Sequence, residues 1–378
     1  MGGGSLSVVM ATEDSARAYA RIRYRLFLLD LAASGAGLGL LQVSGGSRGL
    51  AAWWSHRVTS LPLILLGYLV VFGIVYYAAL LPLHWYGSFR LEHRFALSRM
   101  TMRQWWIREA KQMAVSGGVS LVLLESFYAL LRAAPHRWPL YATLGWVGFS
   151  VVLTRVFPTV LLPLFYQTTP LLDDPLTQRL MALCERAGVR TLGVFRFNLG
   201  AETRKANAAL AGVGTTRRVL VSDTLLKAFT PEEIEGVLAH ELAHHRYRHI
   251  TKTLWLSAGG SWIAFLLTER LGQRWAAALG LQGLSDVAGF PLLALWLSLL
   301  GLLSLPLQHG LARRFEWQAD RFASALIARP RAFAEALRRL AQLNLADPAP
   351  PRWIVWWFYD HPPITERIGA AEAASSRS

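Results

Sequence analysis

The sequence is poor in cysteine and in charged residues. It has one cysteine, Cys184, which excludes an intramolecular disulfide and a cysteine-rich metal site. Charged residues make up only 17% of the 378 positions, whereas hydrophobic residues make up 53%. Soluble globular domains commonly contain about 25% charged residues. These shortages indicate a chain that crosses a membrane several times and carries a modest aqueous part.

Acidic residues are the scarcer of the two kinds of charge. The 39 Lys and Arg residues outnumber the 24 Asp and Glu residues, and the formal net charge is +15. The basic residues cluster beside apolar stretches, as expected where loops meet anionic lipid headgroups. Nucleic-acid binding would instead interleave them with exposed aromatic residues on a soluble face. We therefore expect the lipid bilayer as a partner and no nucleic acid.

About six apolar stretches are predicted to cross the membrane. They cover residues 26–43, 61–86, 113–131, 139–165, 254–268 and 287–311. A basic connection at 90–112 separates the second stretch from the third. The longest mixed polar segment of the chain separates the fourth from the fifth.

This pattern predicts a mainly α-helical, polytopic membrane protein with a small α+β domain. Five parts follow along the chain: an N-terminal tail at 1–25, a four-span region at 26–168, a polar segment at 169–253, two spans at 254–311 and a C-terminal segment at 312–378. Within the polar segment we predict an amphipathic helix at 174–187. Short strands are predicted at 191–198, 207–212 and 218–222, with a turn from Gly212 onward.

Arginine residues orient the chain in the membrane. Four of them precede the first span: Arg17, Arg21, Arg23 and Arg25. The positive-inside rule places this end in the cytoplasm. Alternating spans then bring the polar segment and the C-terminal segment to the same side. We expect an integral protein of a cytoplasmic (inner) membrane whose polar parts face the cytoplasm.

The polar segment contains a helix with the pattern His-Glu-x-x-His, predicted to start after Thr230. Thr230 can cap the helix, Pro231 suits its first position, and Glu233 stands where a capping box needs a glutamate. His240 and His244 are four residues apart, so both imidazoles project from one face. Two nitrogens at this spacing can bind one tetrahedral zinc ion.

Glu241 lies next to the first of these histidines. It is placed to take a proton from a water that the metal activates. The less specific interpretation of the motif is an ordinary amphipathic helix with a His-rich end. His245 and His249 are also four apart, but on a different face, where we expect them to meet solvent or headgroups.

A second acidic pair follows the last span. Glu316 and Asp320 are four apart on a predicted helix. A zinc ion held by two imidazoles needs a third protein ligand and an open position, and Glu316 can be that ligand. Asp320 can accept the N–H of a ligating histidine and fix its tautomer. A solvated helix with internal salt bridges is the alternative; the predicted topology favours the metal site.

Several motifs occur in a characteristic order. They are Glu92-His-Arg-Phe, Phe157-Pro-Thr, Thr169-Pro-Leu, Lys205-Ala-Asn-Ala, Arg218-Val-Leu-Val-Ser-Asp, His240-Glu-Leu-Ala-His, Arg314-Phe-Glu-Trp-Gln-Ala-Asp and His361-Pro-Pro. From about residue 90 to 368 the chain resembles the integral-membrane zinc metallopeptidases of the type I CAAX prenyl endopeptidase family, and we expect a bacterial member. It departs from the family at Ala243, where glycine is frequent, at Ala312, where serine is usual, and in having about six spans rather than seven.

The resemblance implies a gluzincin-type peptidase domain at the cytoplasmic face of the membrane helices. It implies one zinc ion per chain, with these roles: His240, His244 and Glu316 as ligands, Glu241 as general base and then acid, and Asp320 beside a ligand. It further implies that the substrate backbone adds to an edge strand at Asn207 and Ala208. By the same likeness His361, a turn histidine on chemistry alone, helps to hold the substrate carbonyl or its oxyanion, and Asn207 assists.

We therefore expect a membrane-embedded zinc endopeptidase that cleaves a peptide or protein substrate, prenylated or otherwise associated with the membrane. Two alternatives stay open on the sequence. One is a quality-control metalloprotease for membrane proteins with no prenyl requirement. The other is a non-catalytic membrane scaffold whose zinc is structural.

Overall fold

The computed structural model describes residues 3–171, 175–212 and 217–376, most of which are helical. The first half contains α1 (Gly3–Val43), α2 (Gly46–Ser55), α3 (Leu61–Trp85), α4 (Leu91–Arg94), α5 (Met102–Ala133), α6 (Trp138–Val156) and α7 (Leu162–Phe165). The second half contains α8 (Pro175–Arg186), α9 (Asp223–Ala228), α10 (Pro231–Arg246), α11 (His249–Ala278), α12 (Phe290–Leu326), α13 (Pro330–Asn344), α14 (Arg352–Phe358) and α15 (Ile364–Ser375).

Two π-helical turns make longer continuous helices from these elements. Tyr86–Arg90 joins α3 to α4, and Phe157–Leu161 joins α6 to α7. The second turn contains Pro158, which cannot donate a helical hydrogen bond. The wider turn accommodates the proline without ending the helix.

Within the described residues, five helical segments are long and apolar enough to cross a membrane. They are Glu13–Val43, Leu61–Arg94, Met102–Ala133, Trp138–Phe165 and Val287–Leu326. Together they contain five of the six predicted spans. Large apolar side chains on them point outward, as hydrocarbon contact requires; Leu40, Leu144 and Leu303 are examples. The prediction of a mainly helical, polytopic membrane protein is confirmed.

The sixth predicted span, 254–268, lies in α11 and is less apolar than the other five. Lys252 precedes it, and Glu269 and Arg270 follow it directly. The helix nevertheless has 30 residues, a length of about 45 Å. It packs along α6 and α12, and its first residue contacts Gln318 near the end of α12. Helix α11 therefore runs alongside α12, but it is not among the segments that are apolar enough to cross a membrane.

The N-terminal part differs from its prediction as a tail. The structure has α1 running from Gly3 through Val43 without a break, so residues 3–25 continue the first span. Only the first few positions are rich in glycine and serine. From residue 9 onward the sequence is dominated by good helix formers such as alanine, arginine and methionine.

A four-stranded sheet forms the centre of the aqueous part. Its strands are β1 (Thr168–Pro170), β2 (Val194–Phe197), β3 (Ala208–Ala211) and β4 (Arg218–Ser222), in the spatial order β1-β2-β4-β3. β2 and β4 are parallel, whereas β1 and β3 are antiparallel to their neighbours. The three predicted strands are present, and β1 is an addition. Most of the predicted turn, 213–216, lies outside the described residues.

One hydrophobic core joins this sheet to the helices around it. Fully buried members include Leu183 of α8, Val219 of β4, Leu238 of α10 and Phe333 of α13. The end of α12 enters the same core through Ala323. The last membrane-spanning helix therefore continues into the aqueous part and lies against α10.

Candidate metal centre

Helix α10 holds two histidines on the face that meets α12. Its start is fixed by a capping box in which Glu233 N donates to Thr230 Oγ1 at 3.3 Å and Thr230 N donates to Glu233 Oε2 at 2.7 Å. Gly236 lets α13 approach closely, since an added Cβ would lie 3.1 Å from Phe333 Cα. The Phe333 ring then stacks on His240, which is 6% exposed.

Helix α12 brings two carboxylates to the same place. Glu316 and Asp320 are 5% and 4% exposed, because the end of α12 is packed in the core of the aqueous part. A buried carboxylate is costly unless charged or hydrogen-bonding partners surround it. The partners of both are the histidines of α10 and side chains from the end of the chain.

Three side chains converge on one point. The Nε2 atoms of His240 and His244 are 3.2 Å apart, His240 Nε2 is 3.2 Å from Glu316 Oε2, and His244 Nε2 is 3.3 Å from Glu316 Oε1. Bonds of about 2.0–2.1 Å at tetrahedral angles would place neighbouring ligand atoms about 3.3–3.4 Å apart. The triangle of these donor groups, in which Glu316 faces each imidazole nitrogen through a different oxygen, therefore has the size that a small tetrahedral cation requires.

The ring of His240 is oriented from its other side. Its Nδ1 lies 2.8 Å from Asp320 Oδ1. Arg367 holds that carboxylate with two hydrogen bonds, from Nε to Oδ2 at 2.8 Å and from Nη2 to Oδ1 at 2.7 Å. A paired arginine keeps Asp320 ionised, and an ionised carboxylate at Nδ1 leaves the lone pair of His240 on Nε2.

The ring of His244 is oriented by a second chain of hydrogen bonds. Its Nδ1 is 3.1 Å from Nδ1 of His249, and Nε2 of His249 is 3.0 Å from Gln318 Oε1. Because the amide oxygen accepts from His249 Nε2–H, the other nitrogen of His249 accepts from His244 Nδ1–H. This arrangement also leaves the lone pair of His244 on Nε2.

The donor set therefore fits a cation. Two nitrogen lone pairs and a carboxylate face one another, and Glu316 Oε2 has no hydrogen-bond partner among the described residues. Burial lowers the pKa of His240, but the neighbouring carboxylates of Asp320 and Glu316 outweigh burial and raise that pKa to about 9. Without a metal, a proton is drawn to the position that a metal ion would take.

His361 reaches this centre from the chain end. Its Nε2 is 3.3 Å from Glu316 Oε2, and its Nδ1 donates to Asp360 Oδ1 at 2.8 Å. Burial lowers the pKa of His361, but Asp360 and the charge of Glu316 raise it above the ordinary value. Half of its side chain, 51%, is exposed, so it can meet a ligand that enters from solvent.

The other predicted site residues lie beside the three converging side chains. Glu241 follows His240 and is half-buried. Its neighbour one turn on, His245, contacts β3, so that face of α10 looks towards the strand. Asn207 is exposed just before β3, and Ala208 begins it. Among the described residues neither of these two is hydrogen-bonded to a converging side chain.

The expectation that His249 meets solvent or headgroups is wrong. Arg248 adopts a left-handed conformation (φ 55°), which ends α10 and starts α11 in a new direction. His249 is therefore turned back towards His244, is 2% exposed, and stacks on Phe315. His245 is not free either: it donates to a carbonyl of β3, and burial lowers its pKa to about 4.

Two further residues of the centre were missed from the sequence, Gln318 and Arg367. Gln318 stands between the two acidic residues of α12, and its position two after Glu316 gives no sign of a role. Arg367 follows His361-Pro-Pro on a short helix and is 9% exposed. A buried arginine cannot be told from a surface arginine by sequence alone, since both occur in amphipathic helices.

A cavity of about 800 Å³ reaches the edge of the sheet, where Ala206, Asn207 and Asn344 form part of its wall. Its other walls come from membrane-spanning helices and the connections between them. The charged residues that line it are Arg23, Asp30, Glu92, Arg108, Glu109, Glu202 and Lys205. The cavity therefore offers a water-accessible path between the spans and the edge of the sheet.

Two family descriptions match the chain and together cover nearly all of it. The sequence model of peptidase family M48 matches residues 170–375. The model of the CAAX prenyl protease N-terminal region, described as having five membrane helices, matches residues 8–167. In this chain that region contains four of the segments long and apolar enough to cross a membrane.

Individual proteins agree with these matches. The uncharacterized metalloprotease YhfN of Bacillus subtilis is 26% identical over 361 residues, covering 94% of this chain and 84% of that protein. CAAX prenyl protease 1 of Saccharomyces cerevisiae is 23% identical over 315 residues, covering 79% and 69%. The crystal structure of S. mikatae Ste24p shares the fold, with a TM-score of 0.84 at 22% identity, over 96% of this chain and 89% of that one.

The resemblance inferred from the sequence motifs is thus confirmed, as is the expectation of an enzyme. The family match covers more than half of the chain and includes every side chain of the converging cluster. The chain belongs to peptidase family M48: it is an integral-membrane metallopeptidase related to the CAAX prenyl proteases.

Proposed function

We propose that His240, His244 and Glu316 bind one zinc ion and that the protein is a zinc-dependent endopeptidase. The observation that carries this proposal is the triangle of donor atoms at 3.2–3.3 Å, each imidazole being held through its other nitrogen. Two nitrogens and one carboxylate oxygen are a common ligand set for catalytic zinc, which keeps a fourth position open.

When bound, zinc supplies a Lewis acid that polarises a peptide carbonyl and lowers the pKa of a coordinated water towards about 7. Glu241 takes a proton from the attacking water and then delivers it to the leaving amine. His361 and Asn207 hold the carbonyl oxygen as negative charge develops on it. Asp320 and Arg367 keep the His240 ring in place throughout the reaction.

The substrate is a peptide or protein whose backbone lies along β3 at Ala208. β3 is the edge strand of the sheet and packs against α10, which carries Glu241. A strand edge recognises backbone rather than side chains, so this mode suits an enzyme with broad sequence tolerance. The cavity beside Asn207 supplies room for the chain to enter.

We infer that the protein lies in a cytoplasmic membrane with the centre facing the cytoplasm. The arginines before the first span support this orientation. The direct contact of α10 with the end of α12 requires both to lie on one side of the bilayer. Labelling of single engineered cysteines by a membrane-impermeant maleimide, in intact cells and in inverted vesicles, tests the orientation.

The decisive experiment replaces Glu241 by glutamine in the purified membrane protein. We expect the Glu241→Gln variant to retain the metal content of wild type and to lose about 10²–10⁴-fold in rate. The wild type should cleave a casein-like substrate, lose this activity with a chelator and regain it with zinc. Full turnover by the variant would remove Glu241 from the mechanism. A metal-loaded wild type that cleaves nothing would favour the non-catalytic scaffold.

A second candidate is a quality-control protease that needs no prenyl group. The observation in its favour is that seven charged residues line the cavity, which suits an unlipidated polar chain, although apolar residues such as Phe27, Leu83 and Trp105 lie beside them. Rates on a farnesylated peptide and on the same peptide without the lipid separate the two candidates. A preference of more than about tenfold for the farnesylated peptide would favour the prenyl protease.

A further inference from the structure

The free edge of β3 carries backbone groups from every second residue. In the antiparallel pair with β4, Ser222 N donates to Asn207 O at 3.0 Å, and Asn207 N donates to Ser222 Oγ at 3.0 Å. Asn207 therefore uses its backbone groups towards β4. Because the pairing direction alternates along a strand, the groups of Ala206, Ala208 and Leu210 face the other way. These three residues form the edge to which another strand could add.

One end of this edge is closed by a histidine. His245 Nε2 donates to the carbonyl oxygen of Leu210 at 3.0 Å. The residue lies on α10, one turn after Glu241, and is partly buried between the helix and the strand. Any chain added along β3 would need the same carbonyl as an acceptor, and the imidazole stands in its way.

The other end is closed by an amide. Asn344, the last residue of α13, accepts from Ala206 N through Oδ1 at 3.1 Å and donates to Ala206 O through Nδ2 at 3.4 Å. A side-chain amide that makes both bonds takes the place that a neighbouring strand residue would occupy. Ala206 is thereby removed from the free edge.

Between the two, Ala208 is open. Among the described residues no group donates to its carbonyl or accepts from its N–H on the free side. A strand residue that faces a partner exchanges two hydrogen bonds with it, and Ala208 can offer one such exchange. Ala208 is therefore the one described residue of this edge with both backbone groups open, and Leu210 keeps only its N–H, because His245 takes its carbonyl.

We propose that His245 and Asn344 limit the full exchange of two hydrogen bonds between a substrate and β3 to the single substrate residue opposite Ala208. This rests on the proposed function, in which the substrate backbone adds to β3. The peptide then leaves the sheet on both sides of that residue, so a flexible chain end or loop is accepted and a long extended strand gains nothing. The restriction also protects an exposed strand edge from pairing with other chains.

The test is an N-methyl scan of a short unstructured peptide that the metal-loaded enzyme cleaves at one bond. Each methyl group removes one backbone donor. In wild type we expect one position in the non-reacting flank at which methylation lowers kcat/KM, by about 3- to 10-fold for one lost hydrogen bond. The other flank positions should tolerate the methyl group.

Two variants should each add a sensitive position to the scan, on opposite sides of the position that is sensitive in wild type. His245→Ala should free the Leu210 carbonyl and add a sensitive position two residues to one side of the shared position. Asn344→Ala should free the backbone groups of Ala206 and add a sensitive position two residues to the other side of the shared position. His245→Gln, whose amide can still donate to Leu210, is the matched control and should give the wild-type scan. Metal content and thermal unfolding are measured for each protein.

The results distinguish a failure of the proposed endopeptidase function from a failure of the proposed limit on substrate pairing. No cleavage by metal-loaded wild type would refute the endopeptidase function itself. If the wild-type scan already shows two sensitive positions that are two residues apart, the one-residue limit is overturned. This result comes from the wild type alone, so it does not depend on whether the variants fold. Scans of both alanine variants that equal the wild-type scan would show that the two contacts are purely structural.

Discussion

The metal-binding centre and the cavity wall both collect buried charged side chains, but they satisfy them differently. In the cavity three of the four carboxylates have their own donors: Glu92 pairs with Tyr19, Lys205 and Arg23, Glu109 with Tyr77 and His84, and Glu202 with Arg108 and Tyr166. In the centre, Glu316 faces two nitrogens whose lone pairs point at it. These three cavity carboxylates are satisfied without a ligand, whereas Glu316 Oε2 has no hydrogen-bond partner among the described residues.

The difference teaches how a metal site can be told from a cluster of carboxylates. The useful sign is the direction of the lone pairs, which the groups behind the ligands decide. Asp320 and His249 each take the hydrogen of an imidazole Nδ1 and so turn the acceptor nitrogen inward. No cavity carboxylate has histidines held in this way within the described residues.

The largest effect should come from Glu316→Gln. Loss of the only carboxylate of the triangle removes a charged ligand, and we expect the purified variant to contain little metal and to show no measurable cleavage. The matched control is Glu202→Gln, which removes a cavity carboxylate. It should keep wild-type metal content. Equal metal loss in both variants, measured by elemental analysis, would erase the distinction between the two regions.

Next in size is Asp320→Asn. The amide keeps the shape but loses the charge that pairs with Arg367 and fixes the His240 ring. Removal of such a supporting group commonly costs about 10–100-fold in metal affinity or activity. Competition with a chromogenic chelator measures the affinity. The matched control is Asp223→Asn, because the Asp223 carboxylate accepts a hydrogen bond from Gly200 N and not from a histidine or Arg367. This control should leave the metal affinity unaltered.

A packing change behind the centre should have a smaller effect. In Gly236→Ala the new methyl group would lie 3.1 Å from Phe333 Cα. We expect the free energy of unfolding to fall by about 1–3 kcal/mol, since α10 and α13 must separate. Gly301→Ala is the control, because nothing lies within 4 Å of its added Cβ. Thermal unfolding should shift for the first variant and stay nearly constant for the second.

The smallest effect should come from the cavity pair. Lys205→Met removes a donor 2.8 Å from Glu92, whose Tyr19 and Arg23 partners remain. The lysine side chain is 30% exposed, so we expect a loss of only about 1 kcal/mol in stability. Metal content should not change. A variant that lost its metal would show that the cavity and the centre are coupled.

Much of this centre was predictable because its main residues occur as pairs that are close together in the sequence. His240 and His244, and likewise Glu316 and Asp320, are pairs four residues apart, and helix geometry alone places each pair on one face. The capping box at Thr230 was equally local, and the structure contains it. His361 had no such signal, and only the family likeness singled it out.

The supporting residues could not be predicted, because they contact the centre from positions far away in the sequence. Arg367 meets His240 across 127 residues of chain, and Asn344 meets Ala206 across 138. His249 was misread because the helix was assumed to continue, while Arg248 turns the chain at a left-handed residue. A single backbone angle of this kind decides which way every later side chain points.

The sequence by itself determined five of the six predicted spans, the two helices that carry the candidate site residues and the residue types suited to a metal site, because hydrophobic length and helical period are local properties. Only the tertiary structure decided that α10 and α12 lie in contact, which imidazole nitrogen faces Glu316, and how much of β3 is left open. These depend on packing and on hydrogen bonds between segments distant in the chain, and no local rule contains them.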